Sequence, residues 1–173
     1  MNTASELVTR YSEQLEPCHP PYDESTRRLE ATFKSFRDAV VELPDPTSEI
    51  GVALLSLQNL QDSHHLLLWI TAAIARPDNS YVPALCNLLM YRDRHLQHEW
   101  IAEFLGDLGA PQAIPALVDT CSVDETLDPA QSLAFRCIDS LHQIGTPESL
   151  SAIRLLTQSP LDHVREYAGQ TLP

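Results

Sequence analysis

From Gln97 onward, apolar residues recur at helical spacing: Ile101, Leu105 and Leu108, with Ala102 beside them. That spacing lays one apolar stripe along a helix. Gly109 ends the stripe. Pro111 stands where a second helix would open, the position at which proline's missing N–H does least harm. Ile114, Leu117 and Val118 give that second helix its buried side. The arrangement then returns. Cys137, Ile138, Leu141 and Ile144 take the apolar places, Gly145 stops the helix, and Thr146 is placed to cap the next at Pro147. Leu150, Ile153 and Leu156 continue it. Gly109-Ala110-Pro111 and Gly145-Thr146-Pro147 are therefore one joint used twice, and self-similarity at this period marks a helical solenoid.

The earlier chain carries the theme less cleanly. Val82-Pro83-Ala84-Leu85 echoes Ile114-Pro115-Ala116-Leu117, preceded by a helix over Leu66–Ala75 and a turn at Pro77-Asp78-Asn79. Ser25–Leu43 and Thr47–Leu60 pair across Pro44-Asp45-Pro46. Asn2 and Thr3 can cap a first helix over Ala4–Leu15, which the prolines at 17, 20 and 21 break off. Leu161–Ala168 opens a further helix, with Asp162 as its expected cap. No run of alternating β-branched residues signals a strand. The expected fold is all-α: one domain over 1–173, a solenoid of about four antiparallel helix pairs at 24–60, 64–91, 95–122 and 129–158. An atypical cap over 1–22 would precede it, and a capping helix over 162–173 would follow.

These residues carry a resemblance. Ala102, Leu105, Gly106, Leu108, Gly109 and Pro111 through Leu117, then Leu141, Ile144, Gly145, Pro147 and Ile153, look like the short HEAT-like repeats named for phycobiliprotein lyases. Val164-Arg165 and Ala168 resemble the opening of a further repeat. The resemblance implies an α-solenoid. It specifies a fold more closely than a function, because the family is mostly scaffolds and binding modules.

Charge narrows the function classes. The formal net charge is -13. Such a chain repels phosphate backbones and acidic lipid, so nucleic-acid and membrane partners are disfavoured and a basic protein partner is attracted. The first residues lack a basic start followed by an apolar run, and the longest apolar stretch is short of a membrane span, so no leader and no membrane helix are expected. Cys18, Cys86, Cys121 and Cys137 lie far apart without a CxxC pair. They read as reduced thiols of a cytoplasmic protein. Cys137 is expected in the core, and Cys121, at a helix end, partly exposed.

Between Arg94 and Arg136 there is no Lys or Arg, while Glu99, Glu103, Asp107, Asp119, Asp124, Glu125 and Asp128 fall there. Glu99, Glu103 and Asp107 are spaced by four and form one stripe on a helix. Acids near a helix start also suit the helix dipole, so these residues read equally as a partner site or as local stabilisation. Trp100 lies among them, either packed between repeats or anchoring a basic partner; the packed arrangement is expected first. Trp69 reads as core.

Other chemistry is thin. His95 and His98 share a helix face beside Glu99, but a metal would need further ligands. HEAT proteins that resemble deoxyhypusine hydroxylase hold iron between several His-Glu pairs; here only His98-Glu99 matches, so no metal and no cofactor are expected. Adjacent His64 and His65 point about 100° apart and do not suit one ion. Cys18 and His19 lack a third, orienting group. Phosphate-cradling glycine loops are absent. The expected function is a non-catalytic protein-binding module for a basic partner, in concrete form an immunity protein that neutralises a toxin. Its partner-binding residues would be Glu99, Trp100, Glu103, Asp107, Asp119, Asp124, Glu125 and Asp128. The alternatives are an enzyme subunit similar to phycobilin lyases, or a general scaffold subunit.

Overall fold

In a computed structural model the periodic stripes become α-helices. The described residues are 3–15, 22–57, 63–91, 97–122 and 131–172. In chain order the helices are α1 (Ala4–Ser12), α2 (Tyr22–Val41), α3 (Thr47–Ser56), α4 (Ser63–Ala75), α5 (Val82–Met90), α6 (His98–Asp107), α7 (Ile114–Thr120), α8 (Ser132–Ile144), α9 (Pro147–Leu156) and α10 (Asp162–Thr171). Short 3-10 turns at Glu13–Leu15, Asn79–Tyr81 and Pro111–Ala113 complete the regular structure among the described residues. No helix among them is long and apolar enough to cross a membrane. The chain divides into two units, Met1–Asp78 and Asn79–Pro173.

In the first unit, α1, α2 and α3 each pack against α4. That geometry explains why α4 is apolar nearly all round: Leu66, Leu68, Trp69, Ile70, Ala72 and Ala73 are all buried. Trp69 is core, as expected. Thr3 caps α1 through a reciprocal pair, its Oγ1 accepting from Glu6 N–H while the Glu6 carboxylate accepts from Thr3 N–H. Two further orphan donors of the first turn, Ala4 N–H and Ser5 N–H, reach the Glu49 carboxylate on α3, each at 2.8 Å. At the other end of the unit, the Arg76 guanidinium donates to the carbonyls of Val41 and Leu43 at 3.0 and 2.8 Å, closing the C-terminus of α2.

Glu49 thus fastens α1 to α3 with its charge. Burial alone would raise its carboxyl; hydrogen bonds from Ser5, Ala4 and Thr3 outweigh that and hold it below the ordinary value. A folded-state value below the unfolded one stabilises the fold at pH above the usual carboxylate range. That stabilisation is lost as pH falls through the folded value. Glu49→Ala is expected to cost about 1 kcal/mol at neutral pH, the scale of a lost helix cap. In thermal melts the gap between wild type and variant should narrow as pH falls through the lowered folded value of Glu49, where wild type loses the anion that the variant lacks. A gap that stays constant across that range would remove the charge from the account.

The second unit is a two-layer stack. α6, α8 and α10 pack side by side in one layer, and α5, α7 and α9 in the other; α5 crosses to α6, α7 to α8, and α9 to both α8 and α10. The two joints share their glycine stop but differ after it: Pro147 opens α9 directly, whereas Pro111, expected at a helix start, opens a 3-10 turn and α7 begins at Ile114. Gly109 and Gly145 sit at φ +60° and +66°, the left-handed region that ends a helix without Cβ strain. Thr146 Oγ1 accepts from Ser149 N–H at 3.2 Å and starts α9. The echoed segments occupy equivalent depths: Leu85, Leu117 and Ile153 are fully buried, with Ala84, Ala116 and Ala152 beside them.

Three local expectations change. The helix expected to start with Asp162 as cap has Leu161 in that place; Asp162 lies inside the first turn, where its carboxylate holds Arg165. Cys121 is 1% exposed rather than partly open, because α7 ends against α8 and turns the thiol toward the Ala134 carbonyl at 3.9 Å. The helix expected over Ala4–Leu15 tightens into a 3-10 turn after Ser12. Cys137 is fully buried, as its stripe position implies.

Candidate functional site

The acidic stripe forms on α6. Glu99 lies in its first turn, and Glu103 and Asp107 follow on the same side at successive turns. That side borders α8, and each carboxylate meets a residue of α8. Glu99 accepts from the Ser132 hydroxyl. Glu103 lies 3.9 Å from the Arg136 guanidinium, with both side chains about half exposed (52% and 44%). Asp107 accepts from the Gln143 amide at 2.7 Å. The sequence spacing therefore builds a polar ladder along the α6–α8 seam. Two of its three rungs are neutral donors, which fill carboxylate lone pairs without cancelling charge.

Beneath the ladder the two helices nearly touch. A Cβ on Gly106 would lie 2.9 Å from Ser140 Cβ and 3.0 Å from Ser140 Cα. The buried Ser140 hydroxyl lies 2.8 Å from the Ala102 carbonyl across the gap and 2.8 Å from its own helix's Arg136 carbonyl. The outer stripe thus rides on a rigid, closely packed pair of helices.

Trp100 is 43% exposed. It is not enclosed between repeats, the arrangement expected first for it, because the α6–α8 seam is filled by Ala102, Gly106 and Ser140, leaving the indole on the open side of the first turn. Glu99, Trp100, Glu103 and Asp107 are brought together on α6. Asp119 is exposed on α7, which belongs to the other layer. Asp124, Glu125 and Asp128 lie outside the described residues.

The remaining candidates separate. His98 Nε2 lies 2.7 Å from the Tyr91 carbonyl, a contact that ties the start of α6 to the end of α5. His95, Cys18 and His19 lie outside the described residues. His65 Nε2 is 3.3 Å from Ser12 Oγ, between α4 and α1. Among the described residues no three His, Cys, Asp or Glu side chains converge as metal ligands. A cleft of about 300 Å³ lies between the starts of α5 and α7, lined by Asn79, Val82, Pro83 and the Gly109–Gln112 joint. Its size is at the lower end for small-molecule sites, and no ionisable side chain lines it.

Sequence reasoning missed an aromatic cluster on the α8–α10 side of the same layer. Phe135 stacks on Tyr167 with ring centroids 4.4 Å apart, and the His163 ring meets Phe135 edge-on at 6.2 Å. Tyr167 Oη donates to Asp139 at 2.9 Å. That hydrogen bond, with burial and the Asp139 charge adding to it, raises the Tyr167 phenol, while Arg136 opposes them. The signal was present in the helical spacing of His163 and Tyr167, four apart.

Residues 98–121 match the PBS lyase HEAT-like repeat. No curated protein matches the chain. The matched span begins at the first residue of α6 and ends at the residue after α7, so the similarity covers the α6–α7 segment of the second unit, which carries the acidic stripe and Trp100.

Proposed function

We propose that this protein is a non-catalytic binding module that holds a basic partner protein on the open side of α6. The observation that carries the reading is Trp100, 43% exposed between Glu99 and Glu103 in a chain of net charge -13. An exposed indole flanked by carboxylates suits a lysine or arginine side chain, which gains from the ring face and from the charge together. The present partners of the stripe do not oppose this. Ser132 and Gln143 leave the negative charge in place, and the Glu103–Arg136 pair is long and half exposed, the kind that contributes little and exchanges readily. Excess acidity would also speed encounter with a basic surface. An inhibitor that covers a basic toxin is one concrete form of such a module. The family match supports a repeat architecture, of which HEAT-like examples commonly engage other proteins.

The test is affinity capture from native lysate at low and then high salt, followed by titration of the captured protein against variants. A basic protein released by salt is expected. Trp100→Ala combined with Glu99→Lys and Glu103→Lys is expected to weaken its binding about tenfold or more, as truncation of a central aromatic anchor does. Binding unchanged by the triple substitution, or retained at high salt, would remove the α6 face from the reading.

A further inference from the structure

We propose that α10 is a strap that unfolds and redocks on the second unit without unfolding of the rest, with Tyr167 as its latch. Of its ten residues only Val164 and Ala168 are buried, whereas α8 buries Leu133, Ala134, Cys137, Ile138, Ser140 and Leu141. Elements with few buried apolar contacts open locally at the low end of a protein's range of opening free energies. Two further features lower the cost of opening. No side chain caps the start of α10 at Leu161. Gly169 lies inside the helix with open space around it, so it weakens the helix without serving a close approach.

Besides Val164 and Ala168, packed against α8 and α9, what holds α10 is local and aromatic. Tyr167 stacks on Phe135 and donates to Asp139 of α8, and His163 sets its edge against the same phenylalanine. At the connection from α9, the Arg165 guanidinium donates to the Ser159 carbonyl at 2.8 Å and to Asp162, and Leu161 N–H donates to Ser159 Oγ at 3.2 Å. In the second set the Arg165 bonds are exposed and the Leu161 bond is part-buried, and all of them lie at the hinge. Release of Tyr167 therefore leaves Val164 and Ala168 as the buried anchors of the helix and loosens its cover over Phe135 and Asp139 on α8.

Hydrogen exchange followed by mass spectrometry on the full chain tests the strap. Amides of 162–171 are expected to exchange at least about tenfold faster than those of α8 in the wild type, the separation expected of a local opening. Tyr167→Ala should accelerate exchange in α10 by about a further tenfold and leave α6 unchanged. Gly169→Ala should slow α10 about fivefold, the opposite sign, through helix propensity alone. Exchange of α10 in step with α8 in the wild type would overturn the proposal. So would equal acceleration of α8 and α10 by Tyr167→Ala, or a Gly169→Ala variant that leaves α10 unchanged.

Discussion

Gly106→Val is expected to cost the second unit about 3 kcal/mol, at the upper end for overpacking a filled site. The reason lies in the seam between α6 and α8. Even a single added methyl would meet Ser140 Cβ at 2.9 Å and Ser140 Cα at 3.0 Å. The second of these is backbone, so no rotamer change relieves it, and the helices must separate. Separation would also stretch the Ser140 hydroxyl away from the Ala102 carbonyl, losing a buried hydrogen bond between the two helices. Alanine at 106 is the gentler probe. It returns about 1 kcal/mol of helix propensity, so its net loss should be smaller, about 1–2 kcal/mol. Urea denaturation followed by circular dichroism reads both. Moving the methyl across the seam, with Gly106→Ala combined with Ser140→Gly, should recover part of the steric loss. A coupling of about 1 kcal/mol between the two sites is expected in the double-mutant cycle. Strictly additive losses would mean that the helices do not meet there.

This close approach shows how far the residues alone can be read. Gly106 belonged to the pattern that resembled a HEAT-like repeat, and a glycine inside a helical stripe already signals a packing reason for tolerating its cost. What the stripe cannot contain is the residue on the other side. Ser140 lies on α8, beyond that stripe, and its position follows only from how α6 and α8 pack. The acidic stripe behaves the same way. Its spacing by four placed Glu99, Glu103 and Asp107 on one side of a helix, and the structure has them so. Their partners Ser132, Arg136 and Gln143 come from α8 and carry no signal in the periodicity of α6.

Trp100 and Cys121 mark a second limit. Periodicity assigns a residue to a helix face but not a burial to that face at a helix end. There the neighbour is set by the following element. Trp100, in the first turn of α6, is left open; Cys121, just past α7, is sealed by α8. The glycine stops and the Thr146-Pro147 start were legible because their chemistry is local and needs no distant residue; the 3-10 turn that Pro111 opens before α7 was not read from the sequence. The first unit was less legible for the converse reason. Its order depends on α1 and α2 both meeting α4, contacts between segments far apart in the chain.

Phe36→Ala is expected to destabilise the first unit by about 4 kcal/mol, the usual cost of deleting a buried phenyl ring. Phe36 is fully buried on α2. Its ring meets Tyr11 of α1 edge-on, with centroids 5.4 Å apart and an interplanar angle of 66°. The adjacent Ser35 hydroxyl lies 3.0 Å from Tyr11 Oη, so one aromatic pair and one hydrogen bond join the two helices at the same turn. Removing the phenyl leaves a cavity and releases the inner side of Tyr11, and the Ser35 contact is too exposed to hold the helices by itself. Since whole domains are stable by only about 5–15 kcal/mol, this loss should lower the urea midpoint substantially and bring partial unfolding within reach at 37 °C. Phe36→Leu fills most of the space and should cost about 1.5 kcal/mol, which separates volume from ring geometry. Near-ultraviolet circular dichroism supplies the second readout: Tyr11 should lose its fixed environment in the alanine variant and keep part of it in the leucine one. Equal midpoints for wild type and Phe36→Ala would mean that α1 and α2 are held together elsewhere, with α4, against which both pack, the next place to look.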